Sequence, residues 1–216
     1  MLGFNKTPNQ KGDTLIEVLF AMTVFSLIVV TGLSLMGQGL AAAQRSLEIT
    51  TVRQQMDGQV ETLRFLHSAY VNSYQAGQTF NLTDGVSTPA EEYYKIIQFV
   101  RTAGRASASQ FGGTNACVIP NNANTDFVLN PATAQLVTTA TKPDIFQAAP
   151  TVSQLVYAGG TQATYSQGMW LEGVRSTVSG TTAGFIDFHV RACWNVAGSN
   201  IPMNLGTIVR LYEPRN

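Results

Sequence analysis

Charged residues are scarce in this sequence of 216 residues. Aspartate, glutamate, lysine and arginine together make up 12% of the chain, about half the share that soluble globular proteins carry. Basic and acidic residues balance at 13 each, so the chain has no basic field that could bind nucleic acid by neutralising its phosphates. The shortage of charge argues against a nucleic-acid partner and favours a protein with a large apolar segment.

Histidine and cysteine, two common types of metal ligand, are also scarce. His67 and His189 are the only histidines, and neither has a second histidine or a suitably spaced cysteine near it, as a zinc site would need. Glu91 and Glu92 are adjacent, so their side chains point apart on a helix and do not form an acid–base pair. We therefore expect no metal site, no cofactor and no enzymatic activity.

Proline and charge are both missing from a long N-terminal stretch. No proline lies between Pro8 and Pro89, and no ionisable side chain lies between Glu17 and Arg45. Within this stretch, residues 18–36 form an apolar run that would extend about 28 Å as a helix, close to the roughly 30 Å of a bilayer's hydrocarbon core. The run can span a membrane.

Two features near the start of this run bear on its role. Residues 1–12 contain Lys6 and Lys11 but no acid, so the positive-inside bias keeps this end in the cytoplasm and exports the rest. Glu17 places a carboxylate against the apolar run, and an ionised group costs about 2.5–3.5 kcal/mol at mid-bilayer and less near an end. Glu17 therefore needs a partner, or a position at the headgroups, where a negative charge suits the N-terminus of a helix.

The same residues carry a family resemblance. A short basic leader ends in Gly12, a break before Asp13 follows, Glu17 is the fifth residue after that break, and the apolar helix continues without interruption. This pattern resembles the class III signal of type IV pilins and pseudopilins. The resemblance implies cleavage between Gly12 and Asp13 by a prepilin peptidase, which usually methylates the new amine. It also implies that the apolar helix is retained as the core of a filament.

The resemblance also implies a partner for Glu17. After cleavage the chain begins with the cationic amine of Asp13, and the Glu17 carboxylate of a neighbouring subunit can pair with that amine inside an apolar bundle. A buried pair of this kind is satisfied at only one axial stagger, so it would set register more than strength. Asp13 stands where phenylalanine is usual in the family, and no proline interrupts the apolar run.

Downstream of the apolar run, the spacing of apolar residues predicts an amphipathic continuation of the same helix. Apolar residues recur at intervals of three and four, which marks one helical face: Ile49, Val52, Met56, Val60, Leu63, Leu66, Tyr70 and Tyr74. One helix over residues 14–75 is therefore predicted, ended by Gly77. A second helix is predicted over residues 90–103, opened by Pro89 and carrying acids in its first turn.

Most of the remaining chain is predicted to form strands. Apolar alternation and turn residues place the strands at residues 116–119, 127–129, 169–178, 185–194 and 207–212. Residues 130–166 are predicted to be loops with one short strand at 154–157, and residues 180–184 and 198–204 to be connections. In the strand at 185–194, the alternation predicts that the core face consists of Ile186, Phe188, Val190 and Ala192.

The expected fold class is α+β, with a long N-terminal helix packed on an antiparallel β-sheet head. The expected organisation is a leader at residues 1–12, an apolar membrane or filament-core helix at 13–44, an amphipathic second half of the helix at 45–75 and a globular head at 76–216. The helix-on-sheet arrangement of the head is also what the pilin resemblance implies.

Cys117 and Cys193 are the only cysteines. They lie too far apart in the sequence for a metal or redox motif. In a secreted head the expected outcome is one disulfide, which closes a loop of about 75 residues and is worth about 4 kcal/mol in chain-entropy terms. Two buried free thiols are the alternative.

Three functions are compatible with these patterns. The first is a pilin-like filament subunit, of the minor type, whose partners are other pilin subunits, the prepilin peptidase, the membrane and the inner-membrane assembly machinery. Such a subunit moves from the cytoplasmic membrane to an extracellular filament. The second is an adhesin or receptor, in which the same anchor displays a head that binds a host surface, carbohydrate or DNA. The third is a conventionally secreted protein, because residues 41–43 before Gln44 match a signal-peptidase site.

Overall fold

The computed structural model describes residues 13–80, 82, 87–103, 125–149, 151–176, 184–196 and 201–214. The chain forms two compact units, Met1–Leu47 and Glu48–Asn216. The first described residue begins a helix, α1, that runs from Asp13 to Gln75. A second helix, α2, spans Pro89–Ala103.

Helix α1 ends at a glycine because the chain there needs a left-handed residue. Gly77 has a φ of 71°, and the Gln78 N–H donates to the Ser73 carbonyl at 3.1 Å while the Gly77 N–H donates to the Tyr74 carbonyl at 3.0 Å. These bonds satisfy carbonyls that the end of a helix leaves open. The single helix predicted over residues 14–75, with Gly77 as its terminator, is confirmed.

Within the described residues, eight strands follow α2. Their bounds are β1 Asp126–Asn130, β2 Gln135–Thr138, β3 Phe146–Gln147, β4 Gln154–Ala158, β5 Gln162–Gln167, β6 Met169–Arg175, β7 Phe185–Asn195 and β8 Pro202–Tyr212. Five of them form one antiparallel sheet in the order β2-β1-β6-β7-β8. The other three form a small sheet in the order β3-β5-β4, in which β3 is parallel to β5.

The hydrophobic core of the second unit lies between the helices and the five-stranded sheet. Helix α1 contributes the apolar stripe predicted from the sequence, whose two ends, Ile49 and Tyr74, are partly buried. The six positions between them are buried: Val52, Met56, Val60, Leu63, Leu66 and Tyr70. Helix α2 contributes Tyr93, Ile96, Ile97 and Val100, and β7 contributes Ile186, Phe188, Val190 and Ala192, all of them buried. The α+β fold class, with the helix packed on an antiparallel sheet, is confirmed.

Helix α2 is fixed at its start by a capping box. The Thr88 N–H donates to the Glu91 carboxylate at 2.9 Å, and the Glu91 N–H donates to the Thr88 hydroxyl at 3.3 Å. This reciprocal pair satisfies two backbone donors that a helix N-terminus leaves open. Gly173 of β6 then lets α2 approach closely, because a Cβ built there would lie 2.4 Å from Val100 Cγ2.

A buried amide joins α1 to the sheet where the sheet opens. Strand β1 pairs with β6 only at Asp126 and Phe127. Beyond that point the Gln59 side chain, which is fully buried, donates to the Leu129 carbonyl and accepts from the Leu129 N–H, both at 2.8 Å. The amide therefore takes the place of a neighbouring strand and satisfies both backbone groups of Leu129.

The prediction for residues 130–166 was wrong in part. The short strand expected at 154–157 is present as β4, but the region also contains β2, β3 and β5, which were predicted to be loops. These segments are short and rich in glutamine and threonine, so their own sequences give little strand signal. Their backbones are held by pairing with β1, with β4 and with each other.

The start of β8 was also predicted wrongly. The strand begins at Pro202 rather than at residue 207, so residues 202–204, expected in a connection, belong to it. Proline is disfavoured inside a sheet but accepted as the first residue of an edge strand, and β7 is long enough to pair along all of β8. The predicted strand at 116–119 lies outside the described residues, as does most of the connection at 180–184.

Candidate functional site

The candidate functional site is the apolar half of α1, residues 14–44. Every side chain in it is exposed in the isolated chain, including large apolar ones such as Phe20 at 70% and Leu35 at 68%. Soluble monomers rarely leave a continuous apolar surface of more than a few hundred Å² open to water. The apolar half of α1 therefore requires an apolar partner, and α1 is long and apolar enough to cross a membrane.

Three hydroxyl groups of this helix do not oppose burial in an apolar surrounding. Thr23 donates to the Phe20 carbonyl at 2.7 Å, Ser26 to the Met22 carbonyl at 2.8 Å, and Thr31 to the Leu27 carbonyl at 2.8 Å. Each bond reaches back one helical turn, so these hydroxyls need neither water nor a neighbour. Beyond the first turn, whose N–H groups have no acceptor inside the helix, the backbone groups are also paired, so the surface offered to a partner is mostly apolar.

Glu17 is the one ionisable side chain of residues 14–44. It lies four residues after Asp13, where α1 begins, so the two positions are about 6 Å apart along the helix axis. The Glu17 side chain is exposed, which leaves its carboxylate available to a group outside the chain. Gly12, on the other side of the predicted cleavage bond, lies outside the described residues, and cleavage and methylation stay predictions.

The carboxylate of Glu48, the first residue of the second unit, binds a residue of the sheet. The Trp194 indole N–H donates to Glu48 Oε2 at 3.2 Å, and Trp194 itself is buried. Cys193, the residue before it, is disulfide-bonded. The chain has one other cysteine, Cys117, which lies outside the described residues, so the Cys117–Cys193 pairing stays a prediction.

The two histidines are engaged with the fold. His67 Nε2 lies 2.9 Å from the Tyr212 carbonyl oxygen, and its ring meets the Tyr93 ring edge-on at 5.1 Å between centroids. The pKa of His189 is lowered, chiefly by burial and then by Arg191. Among the described residues, no group of three or more histidine, cysteine, aspartate or glutamate side chains is arranged to hold a metal ion.

The tryptophans do not form an exposed platform for a sugar. Trp170 and Trp194 are buried, and they line a cavity of about 150 Å³. Their indole N–H groups already donate to Glu172 Oε1 at 2.8 Å and to Glu48 Oε2. Among the described aromatic residues outside the apolar half of α1, Tyr212 is the most open, at 57% exposure.

Sequence patterns identified the apolar half of α1 and Glu17, but they missed two residues that hold the head together. Gln59 and Glu48 each bind a buried group of the sheet. Gln59 did leave a signal, because it is a polar residue on the apolar stripe between Met56 and Leu63. An amide at a core position needs buried partners.

Comparison of the chain with protein-family models, with curated proteins and with solved structures finds no match in any of the three.

Proposed function

We propose that this chain is a subunit of a type IV pilus or a related filament. It is made as a membrane-anchored precursor, cut between Gly12 and Asp13 by a prepilin peptidase, and assembled through the apolar half of α1. Its partners are other pilin subunits and the assembly machinery of the cytoplasmic membrane, and its final location is an extracellular filament.

The observation that carries the proposal is one carboxylate on an otherwise uncharged helical surface. Residues 14–44 expose apolar side chains on all sides, the hydroxyls of Thr23, Ser26 and Thr31 are satisfied within the helix, and Glu17 is their single ionisable group. A plain membrane anchor needs no carboxylate at this position, and insertion scales penalise it. A filament core uses it, because the amine created at Asp13 of a neighbouring subunit supplies the opposite charge.

The energetic reason is the cost of an unpaired charge in an apolar bundle. Removing one partner of a buried ion pair costs roughly 3–5 kcal/mol, since the remaining charge is left without compensation. That is a factor of about 10² to several times 10³ in an assembly equilibrium. Because the cost appears only when the helix is surrounded by other helices, loss of Glu17 should impair assembly without impairing membrane insertion.

The test compares variants in cells that assemble the filament. We expect Glu17→Gln to be cleaved at the same bond as the wild type, shown by mass spectrometry of the mature N-terminus. The same variant should be depleted at least about tenfold from sheared surface filaments. Gln38→Ala, which removes a polar side chain from the same helix, is the matched control and should assemble normally.

A double variant separates the effect of where the carboxylate lies along the helix from the effect of its charge alone. The double variant Glu17→Gln and Ala21→Glu restores a carboxylate one helical turn further along, about 6 Å away on the axis. It should fail to assemble if Glu17 fixes the stagger of subunits. Normal assembly of Glu17→Gln would refute the pairing, and a mature chain starting at Gln44 would identify a conventionally secreted protein instead.

A further inference from the structure

The two edges of the five-stranded sheet differ in how they are protected. The β2 edge is four residues long, and its Leu136 N–H is taken by the Glu92 carboxylate of α2 at 3.0 Å. The β8 edge is 11 residues long. Within the part of the chain that the structure describes, no strand pairs with the outer side of β8.

The backbone groups that β8 turns outward can be assigned from its pairing with β7. The Glu213 N–H donates to the Gly184 carbonyl at 2.8 Å, so the odd-numbered residues of β8 bond to β7 and the even-numbered ones face away from it. At one end, His67 takes the outward carbonyl of Tyr212. At the other end, Pro202 has no N–H to offer. The open stretch of the edge is therefore residues 204–210.

The side chains of the open stretch also lack the usual protection of an edge strand. Edge strands are commonly kept from pairing with another chain by their short length, by proline, or by lysine and other charged residues. Residues 204–209 contain no charge and no proline. Ile208 is 61% exposed, and Thr207, which points to the opposite face, is exposed as well. Within the described ranges nothing bonds to the outward backbone groups of residues 204–209, and their side chains carry no charge, which are the two conditions that strand addition requires.

We propose that β8 pairs antiparallel with β8 of a second copy of this chain, about a twofold axis at Thr207. The open stretch is centred on Thr207, so this register pairs Gly206 with the partner subunit's Ile208 and Asn204 with the partner subunit's Arg210. Each of these pairs has its N–H and C=O groups turned outward, so each can exchange both hydrogen bonds.

The side chains fit this register on both faces of the joined sheet. Gly206 leaves room for the exposed Ile208 of the partner subunit. The amide of Asn204 lies opposite a guanidinium, and Arg210, the one charged residue of the stretch, does not meet its own copy. On the other face Thr207 lies opposite Thr207 of the partner subunit, and Leu205 lies opposite the partner subunit's Val209. Threonine pairs and apolar pairs are favourable across antiparallel strands.

Such a dimer is distinct from the proposed filament contacts. A twofold interface uses the same surface on both copies and closes on itself, whereas a filament needs contacts that propagate. Because α1 packs on the sheet, a twofold axis perpendicular to the sheet makes the α1 helices of the two copies run in opposite directions. The dimer therefore joins chains of two separate assemblies and not neighbours within one membrane or one filament, whose helices run in the same direction. The β8 pairing therefore does not depend on Glu17, and a Glu17→Gln chain should form it as the wild type does. This independence lets the two proposals fail separately.

The test is cross-linking of the full chain in detergent micelles. Facing residues of a non-hydrogen-bonded antiparallel pair have Cβ atoms about 4.5–5.5 Å apart, which is close enough for a disulfide with little movement. Thr207→Cys should therefore give a covalent dimer under mild oxidation, on a non-reducing gel, with or without Glu17→Gln. Gln135→Cys, at the opposite and protected edge, is the matched control and should stay monomeric.

Two further changes test the pairing itself. Gly206→Pro in the Thr207→Cys chain removes an outward N–H and should lower dimer yield at least about tenfold, since proline cannot donate to a new ladder. Ile208→Lys places two ammonium groups near the axis and should have the same effect in a chain that keeps its fold. Phe65→Lys, an equivalent change on exposed α1, should not. A monomeric Thr207→Cys chain, equal dimer yield from Gln135→Cys, or a cross-link to a different protein would overturn the proposal.

Discussion

Replacement of Gln59 tests how the long helix is joined to the sheet. The Gln59 amide is fully buried and satisfies both the N–H and the C=O of Leu129 at 2.8 Å. Gln59→Leu keeps the volume of the side chain but leaves both backbone groups buried without a partner. Each unsatisfied buried group costs about 1–3 kcal/mol, so we expect the free energy of unfolding to fall by roughly 2–5 kcal/mol. For a unit of this size that corresponds to a Tm lower by roughly 5–15 °C.

Gln59→Glu should make the stability of the folded chain depend on the ionisation of the side chain at this position. An ionised glutamate can accept from the Leu129 N–H, but it cannot donate to the Leu129 carbonyl, and its charge is buried without a partner. Burial and the facing carbonyl raise the pKa of such a group in the folded state above its unfolded value. A raised pKa makes the folded protein bind protons more readily than the unfolded one, so the variant should gain stability as the pH falls. The protonated form can donate to Leu129 again.

Thermal unfolding followed by tryptophan fluorescence measures both effects. Trp170 and Trp194 are the only tryptophans, and both are buried in the second unit, so their emission reports the unfolding of that unit. Gln54→Leu, at an exposed position of the same helix, is the control and should change stability by less than about 0.5 kcal/mol. A Gln59→Leu loss below about 1 kcal/mol, or a Gln59→Glu variant that is no more stable in acid, would show that the amide does not replace a strand.

Two further substitutions test the head. Gly168→Ala should destabilise it by roughly 2–5 kcal/mol, because Gly168 has a φ of 63° and a Cβ there would lie 2.0 Å from the Cys193 carbonyl oxygen. Glu92→Gln should flatten the loss of stability in acid. Burial is the largest influence on the pKa of Glu92 and would raise it. Hydrogen bonds, including those from Lys95 and the Leu136 N–H, outweigh burial, so the pKa is lowered overall. Its stabilising contribution is therefore present above about pH 4.5 and is lost as the pH falls.

Each of these predictions has a control within the chain. Gly159→Ala tests positive φ alone, because Gly159 has a φ of 62° and no atom within 4 Å of an added Cβ. It should cost only about 1–2 kcal/mol, and an equal cost at Gly168 would mean that crowding is unimportant there. Glu61→Gln removes an ion pair with Arg64 that is mostly exposed and worth little. If Glu92→Gln changes the loss of stability at low pH no more than Glu61→Gln does, Glu92 does not stabilise the fold in the predicted way.

The helices were predictable because the residues that determine their start, end and buried face lie close together in the sequence. The intervals of three and four in residues 49–74, Pro89 with the acids of the first turn of α2, and the terminating Gly77 each act within one or two helical turns. The alternation in β7 also marked its buried face correctly. The second sheet was not predictable in this way, since β3 and β5 depend on partners that no local pattern specifies. The same holds for Gln59, whose partner lies 70 residues away in the sequence.

The threonine and serine hydroxyls that bond back within α1 also affect the energetics of transfer. Lipid tails are about as apolar as leucine side chains, so a helix gains little hydrophobic free energy by leaving a bilayer for a bundle of helices. Because the hydroxyls of Thr23, Ser26 and Thr31 are satisfied internally, these three residues add little polar penalty in either place. Transfer between the two surroundings is then close to neutral along most of the helix. In the proposed filament, the direction of transfer would be set by the Glu17 carboxylate and by the work that the cell supplies, which makes the exchange reversible in principle.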